Sequence, residues 1–113
     1  MSNELDDIKK LILDFRNNRD WKQFHKTKDL LIGLGVEVSE LNELFLWKSE
    51  NEIKTISNEK IEDEIADIFI FLTYICDEFN IDLKNAVVKK LNKNELKYPL
   101  DKSKGSNKKY NEL

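Results

Sequence analysis

Between Ile61 and Phe79 the large apolar residues fall at Ile61, Ile65, Ile68, Leu72, Ile75 and Phe79, in steps of four, three, four, three and four. That rhythm keeps one stripe of a helix apolar and does not suit a strand, whose period is two. Within it, the stretch EIADIFIFLTYI (residues 64–75) has nine apolar residues in twelve. Asp67 nevertheless stands in its middle, three residues after Glu64. Burying an unpaired carboxylate is costly. A core helix alone gives no reason for that acid.

Three further segments share the helical rhythm. The first runs from Glu4 to about Asn17, with Leu5, Ile8, Leu11, Ile12 and Phe15 on one stripe. The link NNRDWKQFHK follows, and its Trp21 and Phe24 are too apolar for a free linker. The next helix is expected from about Lys28 to Trp47, with Leu30, Leu31, Leu34, Val38, Leu41, Leu44 and Phe45 inward. Gly33 and Gly35 each cost about 1 kcal/mol inside a helix, which suits a close backbone approach there. A polar connection spans Lys48 to Ser57, where Ser57 is a natural N-cap for the Ile61–Phe79 helix. Asp82 caps a last helix bearing Leu83, Ala86, Val87 and Leu91, which ends before Pro99 because Tyr98 is pushed out of helical geometry. From Asp101 onward the chain has almost no apolar content. The expected organisation is a helical domain over residues 1–99 and a polar, mobile tail over residues 100–113.

With three glycines and one proline in 113 residues, a turn-dense β fold is excluded, and an all-α bundle of four main helices is expected. The net charge of −3, with basic residues interspersed among acids, gives no footprint for nucleic acid. No apolar stretch is long enough to span a membrane and the N-terminus lacks a signal-peptide pattern. One cysteine, Cys76, and one histidine, His25, leave no internal disulfide and no soft-metal site. A cytoplasmic protein is expected.

The acids now acquire a pattern. EVSE places Glu37 and Glu40 three apart, and EIAD does the same for Glu64 and Asp67. Residues at i and i+3 are neighbours on a helix. Each pair therefore presents two carboxylates to one region, bordering the apolar stripe of its helix. If the stripes face each other, four acids converge. Charges about 4 Å apart repel by roughly 4 kcal/mol per pair at an effective dielectric near 20. Raised pKa values or a divalent cation relieve that repulsion. All-oxygen donors suit Mg²⁺, or Mn²⁺. A di-iron carboxylate bundle needs E-x-x-H on two helices, and His25 lies outside both motifs. The bland alternative is that such acids simply solvate a helix face, as Glu4, Glu43, Glu50, Glu52, Glu59 and Glu62 are expected to do.

Taken together, EVSELNELFLWK, EIADIFIFL and IDL…KLNKNELKYP resemble the MazG-like all-α nucleotide pyrophosphohydrolases, in the branch typified by dCTP pyrophosphatase. The similarity runs from Phe15 to Pro99. It implies a Mg²⁺-dependent enzyme that splits a nucleoside triphosphate into monophosphate and pyrophosphate. It also implies a homo-oligomer, a tetramer in this branch with a dimer as the alternative, whose sites lie between subunits. The metal ligands fall on Glu37, Glu40, Glu64 and Asp67, with Glu40 the candidate general base. By the same resemblance His25 lies near the base, Trp47 packs on base or sugar, and Lys90 and Asn94 lie near the phosphates. Lys97 and Tyr98 belong to the same ending. Phe71 stands where relatives carry a tyrosine, and Val36 and Ser39 replace small, glycine-like residues. Independently of the family, Trp21 or Trp47 could stack on a planar base, and Lys90 and Lys97 could offset phosphate charge.

The expected substrate is a pyrimidine deoxynucleotide such as dCTP or a modified derivative, in nucleotide-pool house-cleaning. Two alternatives stand beside it. One keeps the chemistry but acts on dUTP or other non-canonical triphosphates; the other is a non-enzymatic helical oligomerisation or regulatory module.

Overall fold

The computed structural model describes residues 3–113, and every element in it is helical. It divides into two compact units, one ending at Asn80 and the other running from Ile81 to Leu113.

The first unit opens with α1 (Glu4–Asn18), whose N-cap Asn3 accepts a hydrogen bond from the Asp6 backbone N–H at 2.9 Å. Glu4, Asp6 and Asp7 in its first turn favour the positive end of the helix dipole. At its far end Arg19 lies 3.6 Å over the Phe15 ring and donates to the Phe15 carbonyl. Asp20 then takes a left-handed φ of 55° and turns the chain into a short 3-10 segment, Lys22–Phe24.

Helix α2 (Thr27–Glu43) stops four residues earlier than its apolar pattern predicts. Leu44 and Phe45 donate to carbonyls three residues back, and Trp47 adopts a φ of 64°. The last-turn bonds have tightened and the chain leaves the helical path before Trp47. The connection that follows is not irregular throughout. Ser49 and Glu52 form a reciprocal capping box that starts the four-residue α3 (Glu50–Ile53).

Helix α4 (Asn58–Glu78) follows Ser57, although the Ser57 side chain makes no capping bond. It packs mainly against α2 and also against α1. Gly33 marks the tightest α2–α4 approach, since a Cβ built there would lie 2.3 Å from the Phe71 ring. Gly35 has open space instead. Leu30 and Tyr74 are the buried apolar residues among those described, joined by Arg16 and Thr73. Thr73 satisfies its hydroxyl on the Phe69 carbonyl at 2.9 Å. Much of the predicted inward stripe is open: Leu11 is 70% exposed, Leu31 53% and Ile65 53%. Cys76 on α4 is half-buried.

In the second unit Asp82 caps α5 (Leu83–Lys97) by accepting from the Asn85 N–H at 3.1 Å. The helix stops where Tyr98, before Pro99, moves to φ −125° and ψ 69°. Beyond it come α6 (Leu100–Ser103) and a 3-10 turn at Tyr110–Glu112. Tyr110 packs edge-on to Tyr98 and lies beneath Lys97, whose Nζ is 4.9 Å from its ring centre. No helix among the described residues is long and apolar enough to cross a membrane.

Candidate active site

Helix α2 supplies Glu37 and Glu40, and α4 supplies Glu64 and Asp67. One carboxylate oxygen from each of Glu37, Glu40 and Glu64 lies within 4.8 Å of the other two. The i,i+3 spacing aligns Glu37 with Glu40, and the α2–α4 packing brings Glu64 against them. Asp67 is not part of that tight trio. Its charge still reaches it, helping to raise both Glu37 and Glu64.

Burial is the main cause that pushes Glu37 up to about 7, with the neighbouring Glu40 and Asp67 carboxylates adding to it. Glu64 is raised too, by burial first and then by Glu40. The Oε2 atoms of Glu37 and Glu64 are enclosed and lack a hydrogen-bond partner among the described residues. The ion pairs found there, Lys10–Asp14 and Arg16–Asp77, lie elsewhere and leave the trio without a cation of its own. Enclosed carboxylate oxygens without donors are costly. The orphaned oxygens and the all-oxygen donor set fit a hard divalent ion such as Mg²⁺ or Mn²⁺.

Beside the acids a cavity of about 470 Å³ opens between α1, the segment after it, and α4. Its walls include Phe15, Trp21, His25, Phe71 and Tyr74, and Asp67 belongs to its lining. Asp67 thus links the aromatic cavity to the acid cluster. The volume is in the range of small-molecule sites. Phe15 and Trp21 meet edge to face at 5.8 Å, as do Phe71 and Tyr74. The His25 ring lies 4.5 Å from that of Tyr74, tilted by 48°. Its Nδ1 is buried and unpartnered, and burial, helped by the Arg16 charge, lowers its pKa. His25 is therefore a neutral imidazole at pH 7 with polar capacity to spare.

Of the residues singled out in the sequence, Trp21, His25, Phe71 and Asp67 line this cavity. Trp47 does not; it stands 91% exposed on its left-handed turn. Ser39 turns its hydroxyl back onto the Gly35 carbonyl, and Val36 is exposed. Lys90, Asn94, Lys97 and Tyr98 lie on α5 and at its end, in the second unit. Lys90 and Lys97 are exposed there, and the Asn94 carbonyl accepts from the Tyr98 N–H at 2.8 Å. Tyr74 and Phe15 are wall residues that the sequence did not single out. Tyr74 could have been found as Asp67 plus seven, on the same helix face.

The pattern of the MazG-like family matches residues 32–113. dCTP pyrophosphatase 1 of Rattus norvegicus is 38% identical over 114 aligned positions, covering 96% of this chain and 67% of that protein. The Homo sapiens dCTP pyrophosphatase 1 is 36% identical with the same coverage. A pyrophosphatase from Archaeoglobus fulgidus shares the fold at a TM-score of 0.80 and 34% identity, over 88% of this chain and 95% of its own. The all-α pyrophosphohydrolase architecture thus surrounds the acid trio. The chain belongs to the MazG-like family.

Proposed function

We propose that this chain is a Mg²⁺-dependent nucleoside triphosphate pyrophosphohydrolase that releases a nucleoside monophosphate and pyrophosphate. A pyrimidine deoxynucleotide such as dCTP is the favoured substrate, in keeping with the named activity of the mammalian relatives. The observation that carries this reading is the pair of enclosed, partnerless oxygens on Glu37 and Glu64, set beside an aromatic cavity.

Glu37, Glu40, Glu64 and Asp67 would hold the ion. When bound, Mg²⁺ supplies neutralisation of phosphate charge and order among the reacting oxygens. Glu40 would take the proton of the attacking water while the phosphoanhydride bond breaks and pyrophosphate leaves. The base is held by stacking among Trp21, Phe71 and Tyr74, with His25 at its edge. Trp47, Lys90, Asn94, Lys97 and Tyr98 are proposed as further substrate contacts, the lysines offsetting phosphate charge. The exposed apolar residues of the chain support assembly with further copies of itself, a tetramer being favoured.

A pyrophosphate-release screen across canonical and modified deoxynucleotides with Mg²⁺ tests the reading. Release from a pyrimidine triphosphate, lost on chelation, is expected. Silence across the whole panel would return the acids to a solvated helix face.

A further inference from the structure

Arg16 is 4% exposed, on a helix whose other residues are all more open, and its position is over-determined. Its Nη1 donates to Asp77 Oδ2 at 3.0 Å, joining α1 to α4. Its Nε donates to Asn17 Oδ1 at 2.9 Å. Its guanidinium carbon lies 5.8 Å from the Tyr74 ring centre, within reach of a cation–π attraction. Its backbone carbonyl accepts from the N–H of Trp21 at 3.1 Å. One residue therefore ties together two walls of the cavity, Trp21 and Tyr74. The acid cluster needs none of these contacts.

Tyr74 is the most buried aromatic residue, at 6%, yet its hydroxyl makes none of the side-chain hydrogen bonds among the described residues. The ring is buried while the hydroxyl keeps accessible surface, so it is free to meet a molecule that enters the cavity Tyr74 lines. The ring sits between His25 and Phe71 in a cavity whose remaining walls are largely apolar. We propose that Tyr74 is a specificity-determining residue that hydrogen-bonds the nucleobase entering the cavity, and that the Arg16–Asp77 pair is the positioning device that holds it there. The inference rests on the cavity being the base pocket of the proposed function. Burial raises the phenol's pKa, so the hydroxyl keeps its proton and remains a donor at neutral pH. A polar group fixed in an apolar wall discriminates strongly, because a base that cannot pair with it leaves it unsatisfied.

The test is calorimetric binding of the four deoxynucleoside monophosphates to wild type, Tyr74→Phe and the double variant Arg16→Met/Asp77→Leu. Tyr74→Phe removes one oxygen and keeps the ring. It should weaken the best-bound nucleotide by roughly 5- to 10-fold, the scale of one neutral hydrogen bond, and barely change the others. The double variant removes both charges together, so it avoids stranding a half-buried carboxylate and should fold. It should lose the same discrimination while melting no lower than wild type. Equal weakening of all four nucleotides, no change in either variant, or no binding by wild type would overturn the proposal. Selective binding without pyrophosphate release would instead sink the hydrolytic reading and leave the role of Tyr74 standing.

Discussion

The acid trio and the aromatic cavity share Asp67 but are built in opposite ways. The trio is charge held close by local geometry, two residues one turn apart on α2 facing a third on α4. The cavity is apolar surface gathered from α1, the Trp21–His25 segment and α4. In the first, neighbours repel and the site gains from something added. In the second, rings already support one another and the site gains from water being displaced. The contrast separates two tasks that a nucleotide-cleaving site must join, holding a polyanion and choosing a base.

The sharpest way to break the contrast is to neutralise the acids. Asp67→Asn or Glu64→Gln should lower pyrophosphate release by about 10²- to 10³-fold, with the helical circular dichroism retained and the metal-free melting point no lower. Full activity in either variant would remove the acid cluster from the reaction. Ion and pH form the next test. Glu37 is raised from 4.5 to about 7 in the folded chain. Between those values the folded state binds more protons than the unfolded state, so the contribution of Glu37 to metal-free stability is full below 4.5 and is lost as pH rises through 7. Millimolar Mg²⁺ should offset that loss by mass action, raising the melting point more at about pH 8 than at about pH 5. An identical shift at both would separate the ion from these carboxylates.

Smaller effects sharpen the cavity side. Gly33→Ala pushes a methyl against the Phe71 ring, and overpacking typically costs about 1–3 kcal/mol. The better helix propensity of alanine returns up to about 1 kcal/mol, so a net loss near 1 kcal/mol is expected in urea unfolding. Stabilisation would mean that the ring yields freely. Trp47→Ala should raise KM several-fold with kcat little changed, and an unchanged KM would remove Trp47 from the substrate contacts.

What was legible in the sequence followed from local rules. The acid pairs were visible because i,i+3 spacing alone puts them side by side, and α5 was bounded by Asp82 and Pro99 through cap and steric chemistry. The S-x-x-E box that starts α3 is equally local, though the stretch around it has the composition of a polar connection. The end of α2 is hidden from the sequence because its apolar rhythm continues through Leu44 and Phe45 after the backbone has left the helix. The cavity could not be assembled from the sequence, since Phe15, Trp21 and Tyr74 become neighbours only through tertiary packing. Periodicity also marks which face is apolar without saying what covers it, so Leu11 and Ile65 carry the rhythm of a core and stand exposed.

Gly33 lies one helical turn before Glu37, where α2 has no side chain to keep the Phe71 ring at a distance. Helices are stiff over one turn, so a residue with no donor atom of its own helps fix how closely α2, and with it Glu37 and Glu40, approaches Glu64 on α4. The spacing of the three carboxylates is therefore written partly in a missing methyl group. A lineage could widen or narrow that spacing there without touching a single acid.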